Sequence, residues 1–177
     1  INAAFSGVMM VLGPAIADAT FGRANWGMMI AAQSVGLIVG TFIALRWRPR
    51  RDLFIGVMLV GLCAAPILLL SQAASAAWLI AAFFMTGVAM GRFGVSWAHS
   101  LQTHIPPEKL ARVYAYDAVG SFVAIPFGEL VAGPLAMQYG NSHVLLISGI
   151  AVVIATVCAS LVPGIRRLEN AAQVKSL

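Results

Sequence analysis

Charged residues are scarce in this chain of 177 residues. Asp, Glu, Lys and Arg together make up 10% of the sequence, whereas 60% of the residues are hydrophobic. Soluble domains carry about 25% charged residues, so a water-soluble fold is excluded and an integral membrane protein is expected. The basic residues stand in short segments beside apolar runs, which argues against nucleic acid as a partner.

Cysteine is also rare. Cys63 and Cys158 each lie inside an apolar run, without the close spacing of a zinc or redox motif. His99 and His104 are five residues apart, which is not the four-residue spacing of a metal-binding pair on a helix. His143 lies in a different segment. We therefore expect no metal site and no cofactor.

Six apolar runs divide the chain. They are Ile1–Ala17, Trp26–Leu45, Leu53–Ser71, Trp78–Ala98, Val113–Gln138 and Val144–Pro163. A membrane-crossing helix needs about 20 mostly apolar residues, whereas the strands of a membrane barrel alternate apolar and polar residues over about ten positions. We expect an all-α membrane protein with six transmembrane helices. Polar connectors are predicted at Thr20–Asn25 and His99–Arg112, and a polar tail over residues 164–177. Because Ile1 is not Met and already lies in an apolar run, we expect either a fragment of a longer chain or a processed chain.

The second and third runs are separated by a strongly basic loop. Arg46, Arg48, Arg50 and Arg51 stand within seven residues. Short cytoplasmic loops carry the excess of Lys and Arg, so this loop is predicted to face the cytoplasm. With six spans, the basic residues of the His99–Arg112 connector and of the tail fall on the same side. The chain is then a multi-pass protein of the cell inner membrane with a cytoplasmic C-terminus.

Three ionisable residues fall inside the apolar runs, where such residues usually face a partner or a water-filled cavity. At about 1.5 Å per helical residue, Arg92 and Asp117 lie about 9 Å and 6 Å from the cytoplasmic ends of their spans. We predict that they form an intramembrane ion pair, either structural or part of a gate. Glu129 lies about 24 Å from that end. It is a candidate for proton coupling or substrate binding, as is Gln33, unless it is simply solvated in an outer vestibule.

Glycines and prolines recur inside the runs. Small residues four positions apart allow two helix backbones to approach closely, and a proline removes one helical hydrogen bond and favours a kink. The candidates for close packing or kinking are Gly36, Gly40, Gly87, Gly91, Pro126, Gly128, Gly133 and Pro134.

Intramembrane serine proteases also have six membrane spans, so this enzyme class is an alternative. Its serine and histidine would be Ser96 in the fourth run and His143 before the sixth. These two residues fall at opposite faces of the membrane, roughly 25 Å apart along its normal. Base catalysis needs about 3 Å, so we do not expect an enzyme.

One segment carries a family resemblance. Its residues are Trp97, Leu101–Pro106, Arg112-Val113, Asp117, Gly120-Ser121, Pro126, Gly128 and Ala132–Leu135. They resemble the connector between helices ten and eleven, and helix eleven itself, of the major facilitator superfamily. The similarity is greatest to the bacterial efflux branch that includes enterobactin exporters.

This resemblance implies that residues 1–177 are the C-terminal half of a twelve-helix transporter, built from two inverted three-helix repeats. It further implies proton-coupled efflux of a small amphipathic compound, such as a drug or a siderophore, by alternating access. The partners would be the lipid bilayer, the N-terminal six-helix half of the same transporter, the substrate and protons. The alternative is a self-contained six-helix protein that forms a homodimeric channel or a non-transporting scaffold.

Overall fold

The computed structural model describes residues 1–47, 49–72 and 74–167, and all regular secondary structure in this part of the chain is helical. Helices α1 to α6 are Ala3–Ala19, Gly22–Arg46, Asp52–Ser71, Ala76–His104, Pro107–Tyr139 and Asn141–Leu161, and a short α7 covers Pro163–Arg167. Helices α2 to α6 are long and apolar enough to cross a membrane, as a multi-pass membrane protein requires. Helix α1 is apolar but shorter, with 17 residues. The all-helical class is therefore confirmed for the described residues, and five of the six predicted spans have the length of a full crossing.

Two predicted connectors are mostly helical. Helix α2 begins at Gly22, inside the predicted turn Thr20–Asn25. Helix α4 continues to His104, and α5 begins at Pro107, so most of the predicted polar connector His99–Arg112 is helical. Polar side chains do not end a helix, and a proline at the first helical position favours a start there. With 29 residues, α4 is about 44 Å long, so part of it extends beyond the bilayer core.

The turn between α5 and α6 depends on one glycine. Gly140 has a φ of +83°, a conformation that glycine adopts without steric cost. This residue ends α5 at Tyr139 and allows α6 to begin at Asn141. The two helices are therefore joined by a single non-helical residue.

Helix α3 changes its winding in the middle. Residues Gly61–Cys63 form a 3₁₀ turn, and Pro66 follows. Since Pro66 has no N–H, it cannot bond to the Leu62 carbonyl four residues earlier. The hydroxyl of Thr86 on α4 donates a hydrogen bond to this carbonyl oxygen at 3.2 Å. A side chain of the neighbouring helix thus satisfies the acceptor that the proline leaves free.

Helices α2 and α4 pack closely along two GxxxG pairs. A Cβ atom added at Gly36 or Gly40 would come closer than 3.0 Å to the backbone of α4, and one added at Gly87 or Gly91 would come equally close to the backbone of α2. Gly36 faces residue 84 and Gly40 faces residue 88, so the two helices run in the same direction. Only residues without a side chain permit this approach.

Helices α1 and α5 make a similar contact. A Cβ atom on Gly7 would lie 2.7 Å from the Ile125 carbonyl oxygen, and one on Gly128 would lie 2.9 Å from the Cα atom of Ala3. Gly133, which was also a packing candidate, faces open space in the described part of the chain, because a Cβ atom there would meet nothing within 4 Å.

The buried core lies between α1, α3, α4 and α6. Its largest fully buried apolar side chains include Ile67 on α3, Phe83 on α4 and Leu145 on α6. Helix α5 contributes little to this core and exposes most of its apolar side chains, such as Phe122 and Leu130. Such a surface suits lipid or another protein segment, since water would not solvate it.

Candidate functional site

Among the residues whose burial the structure describes, the buried cation is Arg92 on α4. It is 1% exposed, and it donates hydrogen bonds from one terminal nitrogen to the Asp52 carboxylate and from the other to the Ser96 hydroxyl, the latter at 2.6 Å. The Trp47 ring lies 5.7 Å from the guanidinium carbon. The predicted pairing of Arg92 with Asp117 is therefore wrong, because the carboxylate partner is Asp52.

The packing of the helices explains why Arg92 pairs with Asp52 and not with Asp117. Helix α4 packs along α2 and α3, whereas α5 packs mainly on α1 and touches α4 only briefly. Asp52 is the first residue of α3 and points at the buried side of α4. Sequence reasoning had placed Asp52 in the basic loop. The sequence did contain an indication of this pairing, because Asp52 directly precedes the apolar run Leu53–Ser71 at the membrane face that is closest to Arg92.

The pair of Arg92 and Asp52 is costly to disturb. Both side chains are buried, and the Arg92 Nε atom has no hydrogen-bond partner among the described residues. Taking two charges out of water is expensive, and removing one partner leaves the other uncompensated. The pair therefore links the first turn of α3 to the middle of α4. A movement of one helix relative to the other would have to break this ion pair.

Asp117 occupies a different site. It is exposed, and its Oδ2 atom accepts a hydrogen bond from the indole N–H of Trp97 at 3.2 Å. The Trp97 ring stacks on Phe93, with 6.1 Å between ring centroids and an interplanar angle of 21°. These residues line a cavity of about 530 Å³ that also contacts Met90 and Ser121. We call it the aromatic cavity; sequence reasoning missed Phe93 and did not assign Trp97 to a site.

Glu129 and Gln33 lie apart from the ion pair. Glu129 is half-buried on α5, where its backbone nitrogen lies 3.0 Å from the position of a Cβ atom on Gly7. No Lys or Arg side chain of the described residues lies within 4 Å of it. Gln33 on α2 donates a weak hydrogen bond to the sulfur of Met90 at 3.7 Å, which places it behind one wall of the aromatic cavity.

The basic loop is open to solvent where the structure describes it. Arg46, Arg50 and Arg51 are exposed, whereas Arg48 lies outside the described residues, as does the predicted tail from residue 168 onwards. The prolines Pro126 and Pro134 both lie inside α5, which continues as one helix from Pro107 to Tyr139.

The ends of α1 and α2 meet in a second ion pair. Arg23 donates hydrogen bonds to both carboxylate oxygens of Asp18, at 2.7 and 2.9 Å. Both side chains are exposed, so this pair contributes little to stability. Within the described part of the chain, no group of three His, Cys, Asp or Glu side chains is placed to hold a metal ion.

Comparison of the chain with protein-family models, curated proteins and solved structures finds no match. The assignment of a function therefore depends on the residues and on the geometry of the helices.

Proposed function

We propose that the chain is one wall of a secondary active transporter, namely the C-terminal half of a major facilitator superfamily protein. Its reaction would be proton-coupled efflux of a small amphipathic compound by alternating access. The observation that carries this proposal is the pairing of the helices, which supports two inverted three-helix repeats. The resemblance of residues Ser96–Met137 to the family adds to it.

The repeats are α1–α3 and α4–α6. Helix α2 packs on α4 and helix α5 packs on α1, each through small residues, and α3 packs on α6. A repeat of three helices relates α1 to α4, α2 to α5 and α3 to α6. Under this relation the contact of α2 with α4 corresponds to the contact of α5 with α1, and the contact of α3 with α6 corresponds to itself. Because each unit crosses the membrane three times, the second unit has the opposite orientation to the first. This relation between the two units is that of the inverted repeats found in many transporters.

The proposal requires α1 to cross the membrane. Its 17 residues are at the lower limit for a crossing helix, about 17 to 25 residues. Its contact with α5 has the same character as the contact between α2 and α4. The basic loop then faces the cytoplasm, and the single pair of Asp18 and Arg23 lies at the outer face.

Two features fit an alternating movement. Helices α2 and α5 both expose long apolar faces, which an N-terminal half would cover in the complete transporter. Glu129 is a half-buried carboxyl on α5 with no described cation within 4 Å, and it is the candidate residue for proton coupling. The pair of Arg92 and Asp52 would hold α3 and α4 together during this movement.

The test is transport in everted membrane vesicles from cells that produce the full native polypeptide. The vesicles are energised to make a proton gradient and offered ethidium, a bis-benzimide dye and a catecholate siderophore. Accumulation of at least one compound is expected, with loss of accumulation when nigericin collapses the gradient. The Glu129→Gln variant should lose the dependence on the gradient. Accumulation no greater than in vesicles without the protein would contradict the proposal, and an unchanged gradient dependence in Glu129→Gln would remove Glu129 from the coupling.

A further inference from the structure

The arginines between α2 and α3 carry charge that the described part of the chain does not compensate. Arg46 ends α2, Arg50 lies in the connecting loop, and Arg51 is the N-cap of α3; all three are exposed. The carboxylate of this loop belongs to Asp52, which is buried and engaged by Arg92. Among the described residues, no carboxylate lies within 4 Å of the exposed arginines.

Helix α7 brings a second basic segment to the same end of the bundle. It follows α6 and packs against the first half of α3, next to the loop. Residues 46–52 hold four arginines and residues 163–169 hold two, against the carboxylates of Asp52 and Glu169. Since Asp52 is engaged by Arg92, a positive excess remains even when Glu169 is counted. We call residues 46–51 together with α7 the basic surface.

The basic surface lies where the headgroups of a bilayer would be. Helix α2 has 25 residues and is about 38 Å long, whereas the hydrocarbon core of a bilayer is about 30 Å thick. Trp47 follows Arg46 and is exposed, and tryptophan is enriched at the interface between membrane and water. Its ring is also held against the guanidinium group of Arg92. The loop is therefore anchored at the depth of the lipid phosphates.

Apolar side chains border the basic surface on the side of the bilayer core. Leu161 and Val162 directly precede α7, and Met58 lies two turns into α3; all three are exposed. A phospholipid presents its phosphate and its acyl chains in this same order along the membrane normal. An acidic segment of a protein would match the arginines but not the apolar side chains. The arrangement therefore favours a lipid.

We infer that the basic surface binds anionic phospholipids, with the exposed arginines in contact with the phosphate oxygens and the acyl chains beside Met58, Leu161 and Val162. A guanidinium group can donate two parallel hydrogen bonds to a phosphate. Phosphatidylglycerol and cardiolipin belong to this class of lipid. The inference requires only that the helices cross a membrane, and it does not depend on the proposed transport.

The test uses two exposed tryptophans as reporters. Trp47 lies at the basic surface, whereas Trp78 lies in the first turn of α4, at the opposite end of the bundle. Trp78→Phe leaves Trp47 as the reporter, Trp47→Phe leaves Trp78, and the two variants share every other tryptophan. The full native polypeptide is placed in phosphatidylcholine nanodiscs that contain increasing fractions of brominated phosphatidylglycerol or brominated phosphatidylcholine. Bromine on the acyl chains quenches the fluorescence of a tryptophan that the lipid contacts.

Brominated phosphatidylglycerol should quench Trp47 at a lower fraction than brominated phosphatidylcholine does. Each arginine near the membrane surface contributes about fivefold to the affinity for anionic lipid, so a preference of about fivefold or more is expected at Trp47. Trp78 should show no such preference. Equal quenching of Trp47 by the two lipids, or the same preference at Trp78 as at Trp47, would overturn the inference.

Variants of the loop test whether the arginines cause the preference. Arg50→Gln combined with Arg51→Gln should raise the fraction of phosphatidylglycerol needed for half-maximal quenching of Trp47 by about tenfold or more. Arg50→Lys combined with Arg51→Lys keeps the charge and should retain part of the preference. Arg23→Gln removes an exposed arginine at the opposite end and is the matched control. An unchanged preference in the double glutamine variant would contradict the assignment to the arginines.

Competition with soluble anions tests whether the ligand is a lipid. Glycerol 1-phosphate carries the phosphate without acyl chains and should not displace brominated phosphatidylglycerol from Trp47. A hexaglutamate peptide should not displace it either. Displacement by glycerol 1-phosphate would identify a free phosphate as the ligand, and displacement by the peptide would identify an acidic protein segment, so either result would overturn the inference. Native mass spectrometry of the unmodified polypeptide provides a second measurement, and equal retention of phosphatidylglycerol and phosphatidylcholine there would also overturn it.

Discussion

Adding one methyl group at Gly91 should separate α2 from α4. A Cβ atom there would lie 2.9 Å from the backbone nitrogen of Thr41 and closer still to the Leu37 carbonyl oxygen, whereas ordinary contact begins at 3.4 Å. The obstacles are backbone atoms, so the helices must move apart by at least 0.5 Å. Overpacking of this kind costs about 1 to 3 kcal/mol. Part of this cost is offset because alanine is better than glycine in a helix by about 0.5 to 1 kcal/mol.

Gly94 provides the matched control on the same helix. A Cβ atom on Gly94 would meet nothing within 4 Å, so Gly94→Ala should gain helix propensity without a clash. We expect Gly91→Ala to unfold at a lower temperature than the wild type in detergent, and Gly94→Ala at the same or a higher temperature. Thermal unfolding followed by tryptophan fluorescence measures both variants. If Gly91→Ala proved as stable as Gly94→Ala, the close backbone contact between α2 and α4 would be refuted.

Two further predictions concern buried polar groups. Asp52→Asn leaves Arg92 without its counter-charge and should lower the free energy of unfolding, measured in sodium dodecyl sulfate, by about 3 to 5 kcal/mol. Asp117→Asn, at an exposed site, should change it by less than about 0.5 kcal/mol. Equal effects of the two variants would contradict the assignment of the ion pair. Thr86→Val should cost about 1 to 3 kcal/mol because the Leu62 carbonyl loses its donor. Thr86→Ser, which keeps the hydroxyl, should retain most of the stability, and an equal loss in both variants would show that this hydrogen bond is not the cause.

Helices in the middle of the chain were predictable where an apolar run is bounded by turn residues or charges. The predicted spans Trp26–Leu45 and Leu53–Ser71 agree with α2 and α3 to within a few residues, since the basic loop separates them. The ends of α4 and α5 were not predictable in this way. Polar residues after Ala98 continue the helix outside the apolar run, because helix formation depends on backbone geometry as well as on hydropathy.

The partner of Arg92 could not be read from depth alone. The depth estimate placed Arg92 and Asp117 near the same end of the bundle, but pairing also requires that their helices lie side by side. Helix α3 packs along α4 and brings Asp52 to Arg92. Asp117 instead accepts a hydrogen bond from Trp97. This contact requires α4 and α5 to meet at that point, which no local pattern in the sequence indicates.

Alternating access is tested most directly by thiol labelling of the aromatic cavity from each side of the membrane. Ser121, which lines this cavity, is changed to cysteine in the full native polypeptide with all other cysteines replaced. A membrane-impermeant thiol reagent is then applied to sealed vesicles of either orientation, with and without a proton gradient. The account predicts labelling from both sides, with the gradient raising the rate on one side and lowering it on the other. Labelling from one side only, or rates that rise together on both sides as in an open channel, would contradict it.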